Sequence, residues 1–224
     1  MTLPESDAAP NARPRPRLVV AAGLAALLLL LGGLAIGRLT SPNAPLPPST
    51  TSAEAGFARD MQTHHLQAVE MAMTIRSTTE DPDLLTLSYD IATSQSQQAG
   101  QMFGWLSVWG IPPASPEPAM TWMTRPALDG SMEGHGGDGT AHVPGERMPG
   151  LATTEQLAEL RATDGEAADE LFLTLMIAHH QGGVGMAEAL LERSDNAVAT
   201  GLARGIVNSQ QSEIDYMRQL LAAS

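Results

Sequence analysis

"FARDMQTHHLQAVEMA" (residues 57–72) and "FLTLMIAHHQGGVGMA" (residues 172–187) are two copies of one helical pattern, separated by 115 positions. Each copy carries a histidine doublet, His64–His65 or His179–His180, with a methionine three residues before the doublet and another six residues after it. A single histidine on an apolar helix face is usually a hydrogen-bonded core residue. The recurrence of the whole pattern indicates that the doublets have a function.

The same offset, without a gap, aligns residues 91–102 with 206–217. Chance rarely keeps one register across two separated segments, so we interpret the region as a duplicated two-helix unit. Short turns within each copy favour antiparallel hairpins, and two hairpins make a four-helix bundle. The sequence therefore predicts an all-α bundle domain over residues 57–222, with copies at about 57–109 and 166–222.

Capping signals predict where the helices begin and end. Asp81 before Pro82 favours a helix that starts there and runs toward Trp109. Thr163 and Glu166 have the spacing of a capping box and predict the start of the helix that carries the second doublet. Ser194–Asn196 is typical of a turn before the last helix.

A segment rich in Gly, Pro and Met, residues 110–150, joins the two copies and predicts no regular structure. A short helix is expected over residues 153–163. The linker combines methionines with two histidines, which suits either weak copper capture or a disordered spacer; these residues are Met120, Met123, Met132, Met148, His135 and His142.

The sequence of the N-terminal region predicts a membrane segment between two polar stretches. Residues 18–37 lack charge over a length that can cross a bilayer as a helix. Arginines precede this run in the tail, residues 1–17, so the positive-inside rule predicts a cytoplasmic N-terminus and an exported domain. A cleavable signal peptide is the alternative, although the run exceeds the roughly 7–15 apolar residues usual for signals. Residues 38–56, rich in Pro, Ser and Thr, predict a tether.

The amino-acid composition limits the metal ligands and the partners that the protein can have. The chain has no cysteine, so any metal must be held by His, Met, carboxylate or backbone groups. Its formal net charge is −13, and a nucleic-acid partner is not expected because phosphate binding needs a basic face. No arrangement of nucleophile, acid and base has informative spacing, so we expect no enzyme activity.

A helical wheel places the methionines and histidines of each copy on one inward face. The candidate metal ligands are Met61, His64, His65 and Met71 in the first copy, and Met176, His179, His180, Met186 and Glu213 in the second. The companion helices add Ser94, Gln95, Gln98, Ser209, Gln210 and Glu213 to the expected interior. Burying these polar groups costs free energy unless each finds a partner.

Two interpretations follow from a buried polar face. One is a structural or interaction module with a hydrogen-bonded polar core; the other is a metal site between facing helices. Imidazole with thioether favours copper, as Cu(I) or Cu(II), and zinc is less favoured because it prefers Cys, His or carboxylate ligands. A di-iron centre lacks its carboxylates, because Gly185 and Gln98 stand where glutamates are needed.

These motifs resemble the domain of unknown function 305 family of exported bacterial proteins. The similarity spans roughly residues 55–222 and includes "MPG" at 148–150 and "SQQSEIDYM" at 209–217. The resemblance implies a ferritin-like four-helix bundle and, in some members, periplasmic copper binding and tolerance. It assigns metal binding to the two sets of His and Met named above. Gln98 departs from the pattern set by Glu213, which implies a weaker first half.

Together these observations predict a single-pass membrane protein with an extracytoplasmic domain. The domain is expected to bind copper and to buffer it, deliver it to a copper-handling protein partner, or confer tolerance.

Overall fold

The structure, a computed structural model, describes residues 16–40, 47–131 and 143–223, with the side chains of residues 20, 23–34, 36 and 37 only within the first range. The chain divides into two compact units, Met1–Leu46 and Pro47–Ser224. The described residues form six α-helices and no β-strand, so the prediction of an all-α protein is confirmed.

The first unit contains helix α1, Pro16–Thr40, which includes the predicted membrane segment. Within the described part of the chain, no helix reaches the length and hydropathy that a bilayer span requires. Residues 1–15 of the predicted tail and 41–46 of the predicted tether lie outside the described residues.

The second unit is built from four long helices and one short one: α2 (Ala53–Arg76), α3 (Pro82–Val108), α4 (Thr154–Ala162), α5 (Gly165–Arg193) and α6 (Ala197–Ala223). Helix α2 packs along α3 and α5 packs along α6, as the predicted hairpins require. Helices α2 and α5, which carry the two histidine doublets, also pack against each other. The doublets therefore meet at the centre of the unit.

The observed helix caps agree only in part with the predicted ones. Asp81 caps α3 as predicted, by accepting hydrogen bonds from the amides of Asp83 and Leu84. The expected capping box at Thr163 is wrong, because Thr163 ends α4 and α5 begins one residue after Asp164 without a side-chain cap. The capping box instead forms at the start of α4. Helix α2 begins within the predicted tether, where Ser52 accepts from the amide of Ala55.

Part of the linker between the copies packs against the bundle. Met120, Trp122 and Met123 are buried around a 3₁₀ helix, Thr121–Thr124. Asp60 holds this segment by accepting from the amide of Met120 at 2.7 Å and the indole N–H of Trp122 at 2.9 Å. These methionines are core residues rather than parts of a free strand, while Met132, His135 and His142 lie outside the described residues.

The interior consists of two apolar clusters with polar residues between them. Phe57 of α2 and Met186 of α5 belong to the first cluster. Phe172 of α5 and Met71 of α2 belong to the second. Each of the four long helices contributes buried polar side chains where it passes from one cluster to the other. We call this set the polar layer: His64, His65, Gln95, His179, His180 and Gln210.

Candidate metal centre

The four histidines of the polar layer are fully buried, each with 0% exposure. His64 and His179, equivalent residues of the two copies, stack with ring centroids 3.8 Å apart. The neighbouring rings of each doublet lie further away, at 6.4 Å for His65 and 6.2 Å for His180. The repeat thus places its two doublets around a pseudo-twofold axis near the contact between His64 and His179.

Every ring is oriented by a hydrogen bond at Nε2. His64 donates to the carbonyl of Pro149 at 3.0 Å, and His179 donates to the carbonyl of His64 at 2.9 Å. His65 contacts Gln98 Oε1 at 2.7 Å, and His180 contacts Glu213 Oε2 at 2.6 Å. Because a carbonyl or carboxylate oxygen only accepts, the proton of each neutral ring is on Nε2 and the lone pair is on Nδ1.

The Nδ1 atoms of all four histidines are buried and have no hydrogen-bond partner among the described residues. A buried acceptor without a partner costs roughly 1–3 kcal/mol. Histidines that bind metals commonly show this arrangement, in which one ring nitrogen donates to a carbonyl or carboxylate and the other faces the ion. The rings are therefore oriented as ligands that bind through Nδ1.

Burial keeps His64, His65 and His179 unprotonated. It lowers the pKa of His64 to about 4 and that of His65 to about 3. It also lowers the pKa of His179 well below its ordinary value, and the neighbouring His64 lowers it further. A metal binds only the neutral ring, so at pH 7 protons do not compete for these nitrogens.

The predicted methionine ligands are also fully buried, and they divide between the two sides of the polar layer. Met61 and Met186 belong to the first apolar cluster, together with Met102. Met71 and Met176 belong to the second cluster, together with Met217. Each methionine of one cluster has its equivalent, 115 positions away, in the other cluster. The histidines therefore have the same set of thioethers on both sides.

The predicted interior positions on α3 and α6 are only partly correct. Gln95 and Gln210 are buried, whereas Ser94 and Ser209 are exposed and their hydroxyls donate to carbonyls of their own helices. Glu213 lies at the edge of the layer, with 24% of its side chain exposed. The other copy has Gln98 in this position, which is also partly exposed.

Sequence reasoning missed the part played by the Met148–Gly150 segment. Pro149 supplies the carbonyl that orients His64, and the segment lies so close to α5 that a Cβ added at Gly182 would overlap Pro149 O. Gly150 has a φ of 73°, which favours glycine, and an added Cβ there would overlap the Ala178 carbonyl. Glycine at both contact points was the available signal.

A groove of about 520 Å³ runs along α5 and α6 beside this segment. Its wall includes Gly182, against which Pro149 packs, Gly185, where a side chain would meet open space, and the polar residues Gln181, Glu188 and Gln211. At the positions equivalent to the two glycines, α2 carries Gln67 and Glu70, which bond to Ala152 and to Arg161 of α4. The two equivalent helix faces therefore differ in what packs on them, while all four histidines are equally buried.

The residues of the layer fit a soft metal ion by their chemistry. Neutral imidazole lone pairs and thioether sulfurs are ligands that copper accepts. Within the described residues, no group of three or more His, Asp or Glu side chains is arranged to hold an ion. Besides the imidazoles, the available donors are the carboxamides of the polar layer and the methionine thioethers on either side of it.

Comparisons with known proteins agree with this architecture. A protein from Streptomyces coelicolor, solved as a DUF305 protein, is 44% identical and aligns over 78% of this chain and 95% of its own, with a TM-score of 0.67. A DUF305 fragment from Deinococcus radiodurans is 29% identical over 82% and 99% of the two chains, with a TM-score of 0.59. CopM in a Cu(I)-bound form is 23% identical over 77% and 96%, with a TM-score of 0.56, which shows a shared fold.

Among curated proteins, none matches the sequence. The family model described as a domain of unknown function, DUF305, matches residues 54–221, which includes both histidine doublets and both hairpins. The chain therefore belongs to the DUF305 family.

Proposed function

We propose that this protein binds copper in the polar layer of an extracytoplasmic four-helix bundle and buffers it or delivers it to a partner, without catalytic turnover. The four buried Nδ1 atoms carry the proposal, since each lacks a partner while Nε2 of the same ring is bonded. Metal binding would satisfy these lone pairs.

The donor set favours copper over zinc. The interior contains four imidazoles and the thioethers of the four predicted methionine ligands, with those of Met102 and Met217 nearby. Carboxylates contribute little, since the one that contacts a doublet is that of Glu213. Thioethers are soft ligands that favour Cu(I), and imidazole accepts both oxidation states. CopM, which shares the fold, has been solved with Cu(I), Cu(II) and Ag bound, in agreement with this choice.

The proposed location rests on the N-terminal region. Residues 18–37 are uncharged, and the described leucines of α1, such as Leu28 and Leu30, are exposed at 69% and 72%. Such a surface is stable in a hydrocarbon environment. We propose a single-pass anchor with the N-terminus in the cytoplasm, the bundle outside, and a copper-handling protein as the recipient of the ion.

A hydrogen-bonded polar core without metal is the competing interpretation. It explains the bonds made by Nε2, but it leaves four Nδ1 atoms and both carboxamides of the layer without partners. Buried polar groups in native proteins are normally satisfied, so a purely structural core should not retain this many exceptions.

Titration of the full-length protein with Cu(I) and Cu(II) tests the proposal, followed by the same titration after His64, His65, His179 and His180 are replaced with alanine. We expect tight binding that the substitutions abolish. We also expect copper to raise the melting temperature and a chelator to reverse the rise, because a ligand of the folded state stabilises it. Equal affinity before and after the substitutions would disprove copper binding by the layer.

A further inference from the structure

The polar layer contains two glutamines whose side chains are buried and make no hydrogen bond. Gln95 of α3 and Gln210 of α6 are each 2% exposed. Both the oxygen and the nitrogen of each carboxamide are without a partner among the described residues. A carboxamide buried in this way costs free energy at both atoms, so its retention in an interior otherwise rich in methionine calls for a ligand.

The two glutamines lie at the level of the histidines. On α6, Gln210 falls between Ile206 of the first apolar cluster and Ile214 of the second. On α3, Gln95 falls between Met102 of the first cluster and Ile91 of the second. Each glutamine therefore occupies the polar layer and not the apolar packing on either side.

The position of Gln210 places its oxygen against α5 at Gly183, within one helical turn of the second doublet. Its Oε1 fills the space that a side chain on Gly183 would occupy, one helical turn beyond His179 on the same face of α5. Glu213, one turn further along α6, contacts His180. The carboxamide of Gln210 thus lies against the turn of α5 that carries both rings.

We propose that Gln95 and Gln210 supply the hard oxygen donors that allow the layer to hold Cu(II) as well as Cu(I). This inference rests on the proposed function. Carboxamide oxygen and imidazole suit the harder Cu(II) ion, whereas thioethers suit Cu(I). The layer provides both kinds of donor: oxygens within its plane, and sulfurs on either side. The glutamines accordingly determine which oxidation state the site accepts, while the histidines bind both.

Replacing both glutamines with methionine tests this assignment on the full-length protein, because Gln95→Met and Gln210→Met keep the length of the side chain and exchange oxygen for sulfur. The probes are Cu(II) and Ag(I), a soft ion that is not reduced or oxidised in the assay. We expect the Cu(II) affinity to fall at least about tenfold and the Ag(I) affinity to stay equal or rise. The electron paramagnetic resonance spectrum of any residual bound Cu(II) should change as well.

Exposed glutamines on the same helices provide the matched control. Gln101→Met and Gln219→Met should leave both affinities unchanged, because these side chains are exposed. A second pair, Gln95→Leu and Gln210→Leu, removes the donors without adding sulfur and should lower the Cu(II) affinity alone. Leucine also removes the unsatisfied atoms, so this variant should fold at least as stably as the wild type.

The outcomes separate this inference from the proposed function. Equal losses for Cu(II) and Ag(I), or no loss for either ion, would overturn the role of the glutamines while copper binding by the histidines stands. The same holds if the wild-type protein binds Ag(I) and not Cu(II). A wild-type protein that binds neither ion would overturn the proposed function and this inference with it.

Discussion

The two halves of the duplicated unit present the same histidine doublet to different surroundings. His180 contacts the carboxylate of Glu213, whereas its equivalent, His65, contacts the carboxamide of Gln98. An open groove borders the face of α5 that carries Gly182 and Gly185, and its lining includes neither histidine of the second doublet, whereas α4 packs on the corresponding face of α2. Duplication has kept the four histidines and changed the residue that supports one ring of each doublet.

The difference predicts that the two halves of the proposed copper site bind the ion with unequal strength. A carboxylate behind an imidazole raises its basicity and strengthens its bond to a metal. We therefore expect the second half to bind first and the first half to complete or share the site.

Replacing one histidine of either half, in two separate variants, should give the largest difference in copper affinity between the halves. We expect His180→Ala to lower the Cu(I) affinity by at least about 100-fold, and His65→Ala to lower it by only about tenfold, because only His180 has a carboxylate behind it. Competition with a Cu(I) chelator of known affinity measures both losses. Equal losses would show that the supporting residues do not distinguish the halves.

Exchanging Gln98 and Glu213, the residues that contact His65 and His180, should reverse the difference in copper affinity between the halves. Glu213→Gln gives the second half the partner found in the first, and we expect its copper affinity to fall about 10–100-fold. Gln98→Glu should raise the affinity of the first half. Glu170→Gln serves as the control, since Glu170 is an exposed residue of the same helix as His180. The inequality must have another origin if both exchanges leave the titration curve unchanged.

The close contact between the linker and α5 provides a test through stability. Gly182→Ala should lower the free energy of unfolding by about 1–3 kcal/mol, because the new methyl group overlaps Pro149 O and displaces the partner of His64. Gly185→Ala is the matched control: its Cβ meets nothing, so the gain in helix propensity should stabilise the protein by about 0.5–1 kcal/mol. Urea unfolding measures both values. A neutral Gly182→Ala would show that the contact is not required.

Acid should destabilise the metal-free protein, because two of its buried histidines have lowered pKa values. His64 and His65 have folded pKa values of about 4 and about 3, below the ordinary value of 6.5. The unfolded chain therefore binds more protons, and the stability present above pH 6.5 is lost as the pH falls toward 4. Urea unfolding at a series of pH values should show this decline, and His65→Gln should reduce it. A flat profile would contradict the burial of neutral rings.

Much of this site could be predicted from the sequence, because the repeat itself carries the information. The offset of 115 residues fixed both hairpins and the inward face on which His64 and His179 meet. Helix periodicity was sufficient for Met61 and Met176 as well, since both are buried as expected.

What the sequence could not show depends on contacts between distant segments. Periodicity has no information on the Pro149 carbonyl, which reaches His64 from an irregular linker. It also could not separate the two sides of the layer, because the sulfurs of Met61 and Met186 share a cluster only when α2 and α5 pack together. The capping box was misplaced because Thr163 and Thr153 each stand three residues before a Glu or Gln, and the box forms at Thr153.

Nitrogen-resolved NMR of the four buried histidines tests most directly whether the layer is a copper site. In full-length protein with ¹⁵N-labelled histidine, long-range proton–nitrogen spectra should show the proton on Nε2 of each ring. Added Ag(I) should then shift the Nδ1 resonances while Nε2 keeps its proton. Rings protonated at Nδ1, or Nδ1 resonances that stay in place while Ag(I) binds, would show that the histidines serve the fold and not the metal.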